Sequence, residues 1–337
     1  MPELRLNPAT RLWVVIATER ARRPHNFVQS NPRTIQPAHV ESCPFCDGNE
    51  HLTPPELLAY RKNGSANGPG WWVRVVPNKF PAFIPEGSLE RKNEDADLFQ
   101  CMDAVGHHEV IVETGTHNQD IVSMDDWHVE EIVLAYLERY RMLHIDPRFK
   151  FIITFKNHGL SAGTSLEHPH SQLVATPIVP ADIRIRFDRA AYYYDDTGRC
   201  VYCDIIAEER RIGKRVILET EEFIVIHPFA SQSPFETWIM PKEHSASFGL
   251  ISEEHARTFA RVLRTVLKQI HVGLQDPDYN YIIHTAPVKD EQEDYFHWHL
   301  QMMPRLTTAA GFEMGTGIYI NTAIPEQTAE FMRGIKV

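Results

Sequence analysis

The stretch that decides the fold is Asn157-His-Gly-Leu-Ser-Ala-Gly-Thr-Ser-Leu-Glu-His-Pro-His-Ser-Gln172. Its last five residues put His168, His170 and Gln172 at alternate positions. Side chains two apart share a face on a β-strand, whereas on a helix they diverge by roughly 200°. A strand is therefore expected here, with Pro169 at an edge or where its missing N–H faces away from the ladder. The pattern recurs as His297-Trp-His299-Leu-Gln301. A Cys-x-x-Cys precedes each copy, Cys43-Pro-Phe-Cys46 and Cys200-Val-Tyr-Cys203. Between them lie two matching segments, Glu109 to His117 and Glu236 to His244, with Glu and His equally separated and each read as a strand ending in His. An amphipathic helix signal follows both segments. The first has Val129, Ile132, Val133, Tyr136, Leu137 and Tyr140 behind Ser123 and Asp126, which are placed like a capping box. The second has Phe259, Val262, Leu263, Val266, Leu267 and Ile270 behind Ser252. Four matched elements in one order identify an internal duplication.

Working outward, 337 residues are more than one average core takes, and the duplication divides them at about 1–190 and 191–337. Further strands are expected over 72–76, 109–113, 151–155, 223–226, 237–240 and 281–284. Hairpin-like spacing and the lack of a βαβ phosphate fingerprint point to an α+β fold of two antiparallel halves. The stretches 63–70 and 86–104 read as mobile loops. Asp and Glu (45) exceed Lys and Arg (34), a net charge of −11 that argues against binding nucleic acid through a general basic surface. No apolar run approaches the ~18 residues of a membrane span, and the start does not read as a signal peptide. Five cysteines are too few for a disulfide scaffold. A cytoplasmic enzyme is the expectation.

The two Cys-x-x-Cys motifs are over 150 positions apart, far beyond the ~15–20 residue gap of a four-cysteine ribbon. Each pair is therefore expected to recruit its own histidines as a closed structural zinc site. The first set is Cys43, Cys46, His117 and His168; the second is Cys200, Cys203, His244 and His297, with His227 a rival to His244. Closed sites organise the fold and do not activate water. That leaves His170 and His299. His170 follows the Gly/Ser/Thr-rich loop 157–165, whose N–H groups and hydroxyls suit a phosphate. His299 follows Asp290-Glu-Gln-Glu-Asp294, carboxylates that would repel one. The chemistry is expected in the first half, the second being a degenerate copy. An imidazole nitrogen attacks phosphorus at neutral pH once its other nitrogen is held by an acceptor, and Gln172 can donate to a phosphoryl oxygen. A two-step exchange through a phosphoramidate follows.

These residues resemble the active-site strand of the galactose-1-phosphate uridylyltransferases, a branch of the histidine-triad superfamily. The similarity extends over Asn7-Pro8, Arg20-Ala-Arg-Arg-Pro24, Cys43 to Cys46, Pro77-Asn-Lys-Phe80, Gly106-His-His-Glu-Val110, Pro234-Phe-Glu236 and Gly311-Phe-Glu313. The resemblance implies two fused histidine-triad halves forming an antiparallel half-barrel with flanking helices, usually as a homodimer. It implies that His170 takes UMP from UDP-glucose and passes it to a hexose 1-phosphate. It further implies that Arg22, Asn78, Phe80, Asn157, Gly163, Thr164, Ser165 and Gln172 hold the nucleotide. Arg22 offers a fork to phosphate or ribose, and Phe80 offers a face to a base. Two departures stand out: Ser171 replaces the usual Gly or Cys, and Arg186 stands where some members carry a metal-binding glutamate. The tail Gly311 to Gly317 with Tyr319-Ile-Asn321 is similar to a branch that includes ADP-glucose phosphorylase. There ADP-glucose is the donor and phosphate the acceptor. Two further readings are a histidine-triad hydrolase and a zinc-stabilised binding module without catalysis.

Overall fold

The computed structural model describes residues 1–18, 23–28 and 36–337. The chain opens with Glu3–Leu6 (β1) and Trp13–Ile16 (β2). Leu58–Arg61 (β3), Trp71–Pro77 (β4), Lys92–Asn93 (β5), Gln100–Cys101 (β6) and His107–Val112 (β7) follow. Next come the helix Asp126–His144 (α1), then Phe151–His158 (β8) and His170–Thr176 (β9). Helices Ala181–Thr197 (α2) and Val201–Ile212 (α3) lead into Val216–Glu219 (β10), Phe223–Ile226 (β11) and Thr237–Pro241 (β12). Glu253–Leu274 (α4), Tyr279–His284 (β13), His299–Pro304 (β14), Gly311–Thr316 (α5), Tyr319–Asn321 (β15) and Pro325–Arg333 (α6) complete it.

The expected α+β architecture is present, with the antiparallel sheets of the two halves joined into one. Its order is β3-β4-β7-β9-β8-β13-β14-β12-β11-β10. Read from either edge, the strands of each half occur in the same sequence of roles, and β8 and β13 meet antiparallel at the centre. One row of cross-strand partners displays the pseudo-dyad: Val76, Val110, Gln172 and Phe155 from the first half, then Ile282, Gln301, Trp238 and Ile226 from the second. Every inner strand is paired on both sides, so the duplication is fused through backbone hydrogen bonds, leaving no edge at the join. A second sheet, β1-β2-β15, ties the start of the chain to its end through the parallel pair β2/β15.

The main core lies between one face of the large sheet and helices α1 and α4. Ile132, Val133, Tyr136 and Leu137 of α1 join Phe259, Leu263, Val266 and Leu267 of α4 and Val75, Ile111, Leu173, Ile283 and Leu300 of the strands, all buried. The two stripes read from the sequence are thus core. Their helix starts differ. Ser252 caps α4 by accepting from the His255 N–H at 3.1 Å. The expected capping box at Ser123 is absent, because the Ser123 hydroxyl donates to the Asp120 carbonyl in the preceding turn and the chain enters α1 at Asp125.

Other expectations are corrected by the backbone. Strand β9 begins at His170, so His168 and Pro169 precede it; the Pro169 carbonyl still accepts from the Glu113 N–H at 3.2 Å, and the missing N–H costs the ladder nothing. His117 and His244 lie in loops beyond β7 and β12 and do not end those strands. The stretch 86–104 contains the hairpin pair β5/β6. The second Cys-x-x-Cys sits on a helix: Cys200 caps α3 and Cys203 lies in its first turn.

Candidate functional site

The loop of the first Cys-x-x-Cys, the turn after β7 and the entry to β9 converge so that Cys43, Cys46, His117 and His168 face one point. Around a tetrahedral ion with bonds of about 2.3 Å to sulfur and about 2.05 Å to nitrogen, S···N edges are about 3.6 Å and N···N edges about 3.3 Å. The observed S···Nδ1 separations are 3.5, 3.6 and 3.7 Å, and His117 Nδ1 lies 3.3 Å from His168 Nδ1. His168 donates from Nε2 to the Thr114 carbonyl at 2.7 Å, so its Nδ1 carries a lone pair into the cluster. Burial pushes His168 down to about 4, which keeps that lone pair free at neutral pH. Two nitrogen lone pairs this close repel unless a cation or proton lies between them, and the donor set fits a tetrahedral metal ion.

The second half repeats the arrangement with Cys200, Cys203, His244 and His297. Cys203 Sγ lies 3.3 Å from His244 Nδ1 and 3.8 Å from His297 Nδ1, and His297 donates from Nε2 to the Pro241 carbonyl at 2.8 Å. His244, not its rival His227, joins this group. His227 is fully buried elsewhere, its Nδ1 2.7 Å from the Thr328 hydroxyl.

Beside the first cluster lies a cavity of about 520 Å³, within the range of small-ligand sites. Phe45, Asn78, Phe80, Ser165, His170 and Gln172 line it. His170 and Gln172 share one face of β9, as alternation requires, while Ser171 points to the opposite, core side. His170 donates from Nδ1 to the His168 carbonyl at 2.8 Å, which leaves Nε2 as the lone-pair nitrogen. Burial lowers its affinity for a proton, so the ring is neutral. The Phe45 ring lies 5.4 Å from the imidazole, and the Phe80 ring is 83% exposed at the mouth, with an open face for a base.

Gly159 and Gly163, both at φ 87°, turn the loop before β9 in a conformation that side-chain-bearing residues rarely adopt. Asn157, Gly163 and Thr164 do not line the cavity. Asn157 Oδ1 accepts from Asn280 at 2.7 Å, and the Thr164 hydroxyl donates to the Leu166 carbonyl. Asn280 also donates to the Ala162 carbonyl, so a residue of the second half braces the loop of the first. Arg22 lies outside the described residues.

One residue of the site and a buried network beneath it escaped the sequence reading. His108 accepts from the Ala82 N–H at Nδ1 and donates from Nε2 to Gln172 Oε1 at 2.8 Å. This orients the Gln172 amide so that its NH₂ is free for a ligand oxygen. The signal was present in Gly106-His-His-Glu-Val110, but no spacing rule ties His108 to Gln172. Below the strand, Ser171 and Lys156 both donate to Glu113, and Tyr136 bonds Ser171 and Tyr281 at 2.5 and 2.8 Å.

In the second half His299 repeats the His170 geometry, donating from Nδ1 to the His297 carbonyl at 3.1 Å. Its Nε2, however, is buried without a partner. Trp238 (ring centroids 4.7 Å apart) and Tyr202 (5.2 Å) cover it. His299 is thus packed against aromatic rings, whereas His170 lines a cavity. The carboxylate run invoked earlier is partly turned away, Glu291 accepting from Tyr140 at 2.7 Å and Ser247 at 2.8 Å on the helical side.

Comparison with known proteins agrees across the chain. The family described as galactose-1-phosphate uridyl transferase, N-terminal domain, matches residues 1–180, and its C-terminal domain matches 186–335. ADP-glucose phosphorylase of Arabidopsis thaliana is 36% identical over 100% of this chain and 93% of its own length. Galactose-1-phosphate uridylyltransferase of Thermotoga maritima is 29% identical over 100% of this chain and 99% of its own. The crystal structure of the Arabidopsis phosphorylase with bound ADP-glucose superposes with a TM-score of 0.81 at 34% identity, covering both chains in full. The duplicated sheet, the paired Cys/His clusters and these matches lead to one conclusion: the chain belongs to the galactose-1-phosphate uridylyltransferase family.

Proposed function

We propose that this protein moves a nucleoside monophosphate between a nucleotide sugar and a phosphorylated acceptor by way of a nucleotidyl-histidine at His170. The observation that carries the reading is the tie from His170 Nδ1–H to the His168 carbonyl, on a ring that lines the cavity. Nε2 attacks the α-phosphorus of the donor, the bond to the bridging oxygen breaks, and sugar 1-phosphate leaves. The developing imidazolium charge is shared with the His168 carbonyl, and the Gln172 amide, aimed by His108, donates to a phosphoryl oxygen. In the second step an acceptor phosphate oxygen attacks phosphorus, the N–P bond breaks and neutral His170 returns. Asn78, Phe80 and Ser165 hold the nucleotide from the cavity wall; Asn157, Gly163 and Thr164 act by shaping the loop, and Arg22 completes the phosphate contacts.

Zinc is the ion that suits two Cys₂His₂ sets, and it anchors the backbone around Phe45 and His168. We read the chain as two units, 1–190 carrying the nucleophile and 191–337 carrying its degenerate copy, and the active form as a homodimer. The unpaired thiols of all five cysteines suit a reducing cytoplasm.

Uridylyl transfer between UDP-glucose and a hexose 1-phosphate such as galactose 1-phosphate is the activity named by the family. A second reading, ADP-glucose as donor with phosphate as acceptor, is favoured by the 36% identity to the Arabidopsis phosphorylase along the whole chain. Incubation with each donor, an alkaline quench and an intact-mass spectrum test both. A stable adduct is expected, its added mass separating UMP from AMP, and galactose 1-phosphate or phosphate should discharge it. No adduct with either donor refutes the nucleophile.

A further inference from the structure

The two Cys-x-x-Cys pairs have matching ligand sets but differ in backbone and in access. Cys43 and Cys46 lie in a turn, 6% and 1% exposed, and the Cys46 sulfur also accepts from the Val40 N–H at 3.4 Å. The second pair opens α3, with Cys200 at the N-cap and Cys203 as the third helical residue. An N-cap side chain reaches over the first turn toward the third helical residue, so the helix start itself brings the two sulfurs together. They lie within 4.8 Å of each other.

Cys200 is buried behind Cys203, which is half-buried, and His244, 3.3 Å from the Cys203 sulfur, is also open to solvent. His244 is loosely tied as well. Its Nε2 lies 3.4 Å from the Glu293 carbonyl, whereas His297 holds the Pro241 carbonyl at 2.8 Å. Oxidants reach a thiolate in proportion to its access, so Cys203 is the ligand sulfur a solute meets first. The surroundings also select the reagent. Glu243 precedes His244 in the chain, and Asp294 follows Glu293, so carboxylates flank the open side of the cluster. They disfavour an anionic disulfide such as oxidised glutathione and leave a small uncharged peroxide unaffected.

We propose that Cys203 and Cys200 form a peroxide-reactive pair, a modification site in the half that lacks the nucleophile. The Cys203 thiolate attacks one oxygen of hydrogen peroxide, the O–O bond breaks and hydroxide leaves, giving a sulfenic acid. The Cys200 thiolate then attacks that sulfur, the S–O bond breaks and a second hydroxide leaves. The two sulfurs are oxidised to a disulfide and the peroxide is reduced to two hydroxides, which take up protons as water. A disulfide offers no thiolate to a metal ion, so the second cluster gives up its ion while Cys43 and Cys46 keep theirs. The loss of metal rests on the zinc assignment above; the order of thiol oxidation does not.

Peroxide titration of the full-length, metal-loaded, reduced protein tests this in a Cys101→Ser background, which removes the one other half-buried thiol. Released zinc is read with a chromogenic chelator, and alkylation of the denatured protein followed by peptide mass mapping locates the disulfide. The expected result is release of one of two metal equivalents, a disulfide joining Cys200 and Cys203, and oxidation of Cys43 and Cys46 slower by at least about tenfold. A thiol reductant with added zinc should restore the site. Oxidation of both pairs at equal rates, earlier oxidation of Cys43 and Cys46, or no disulfide at either pair overturns the proposal. A reduced protein holding fewer than two metal equivalents refutes the zinc assignment, and the disulfide map then decides this proposal by itself.

Discussion

Replacing Lys156 by methionine tests the charged network that underlies the reactive strand. Glu113 and Lys156 are 0% and 1% exposed, and the carboxylate is held by the Lys156 ammonium, the Ser171 hydroxyl and, at 3.3 Å, the Tyr136 hydroxyl. Methionine keeps much of the length of the lysine stem but leaves Glu113 without a cation. Breaking a buried pair in this way costs about 3–5 kcal/mol, since one charge stays desolvated and uncompensated. Removing the second charge as well, in Lys156→Met/Glu113→Gln, eliminates that penalty while Ser171 and Tyr136 keep a partner. The double variant is expected within about 1–2 kcal/mol of the wild type, a recovery of about 2–3 kcal/mol relative to the single variant. Urea unfolding of the metal-loaded protein at neutral pH measures all three. Because Ser171 sits between His170 and Gln172, adduct formation should slow in the single variant and recover in the double. A single variant as stable as wild type, or a double variant no better than the single, would show that the pair is not held as a desolvated unit.

Three further perturbations follow from the same structure. His170→Ala should lower turnover at least about a thousandfold and abolish the acid-labile adduct while shifting stability by no more than about 2 kcal/mol; an adduct of undiminished yield would place the nucleophile elsewhere. Cys43→Ser should lose one of two metal equivalents in elemental analysis and destabilise the first half, and unchanged metal content would remove Cys43 from the ligand set. His227 is fully buried, and burial pushes it down to about 3 from an ordinary value near 6.5. Its neutral form is favoured by folding, so stability is complete above pH 6.5 and declines as pH falls toward 3. Between pH 7 and 5 this one ring should cost about 2 kcal/mol, a slope that His227→Gln should flatten by that amount; an identical slope in both proteins would assign acid sensitivity to other groups.

The parts legible in advance were those whose chemistry is local and repeated. Cys43 to Cys46 and Cys200 to Cys203 announce metal-type clusters through spacing alone, and duplication supplied each with its histidines. The alternate histidines of the reactive strand required β geometry, and the stripes of α1 and α4 required a core. Less was visible where side-chain competition decides the outcome. Ser123 looked like a helix cap, but a nearer carbonyl captured its hydroxyl. Helices α2 and α3 carry no repeat signal, so the placement of Cys200 and Cys203 on a helix start was not foreseen.

The amino-acid order by itself determined which residues could act: thiols and imidazoles at ligand spacing, a glycine-rich turn, and a histidine–glutamine pair on one strand face. Those depend on backbone periodicity and bond chemistry, which operate over a few residues. Only the tertiary structure decided which copy is open. His170 and His299 have the same local hydrogen bond, yet His170 lines a cavity together with Val110, whereas Trp238, at the position matching Val110, packs against His299. Likewise His108, Asn280 and the Glu113–Lys156 pair gain their roles from strands brought together across the sheet. Such contacts join residues tens to more than a hundred positions apart, and no local pattern encodes the packing that brings them within bonding distance.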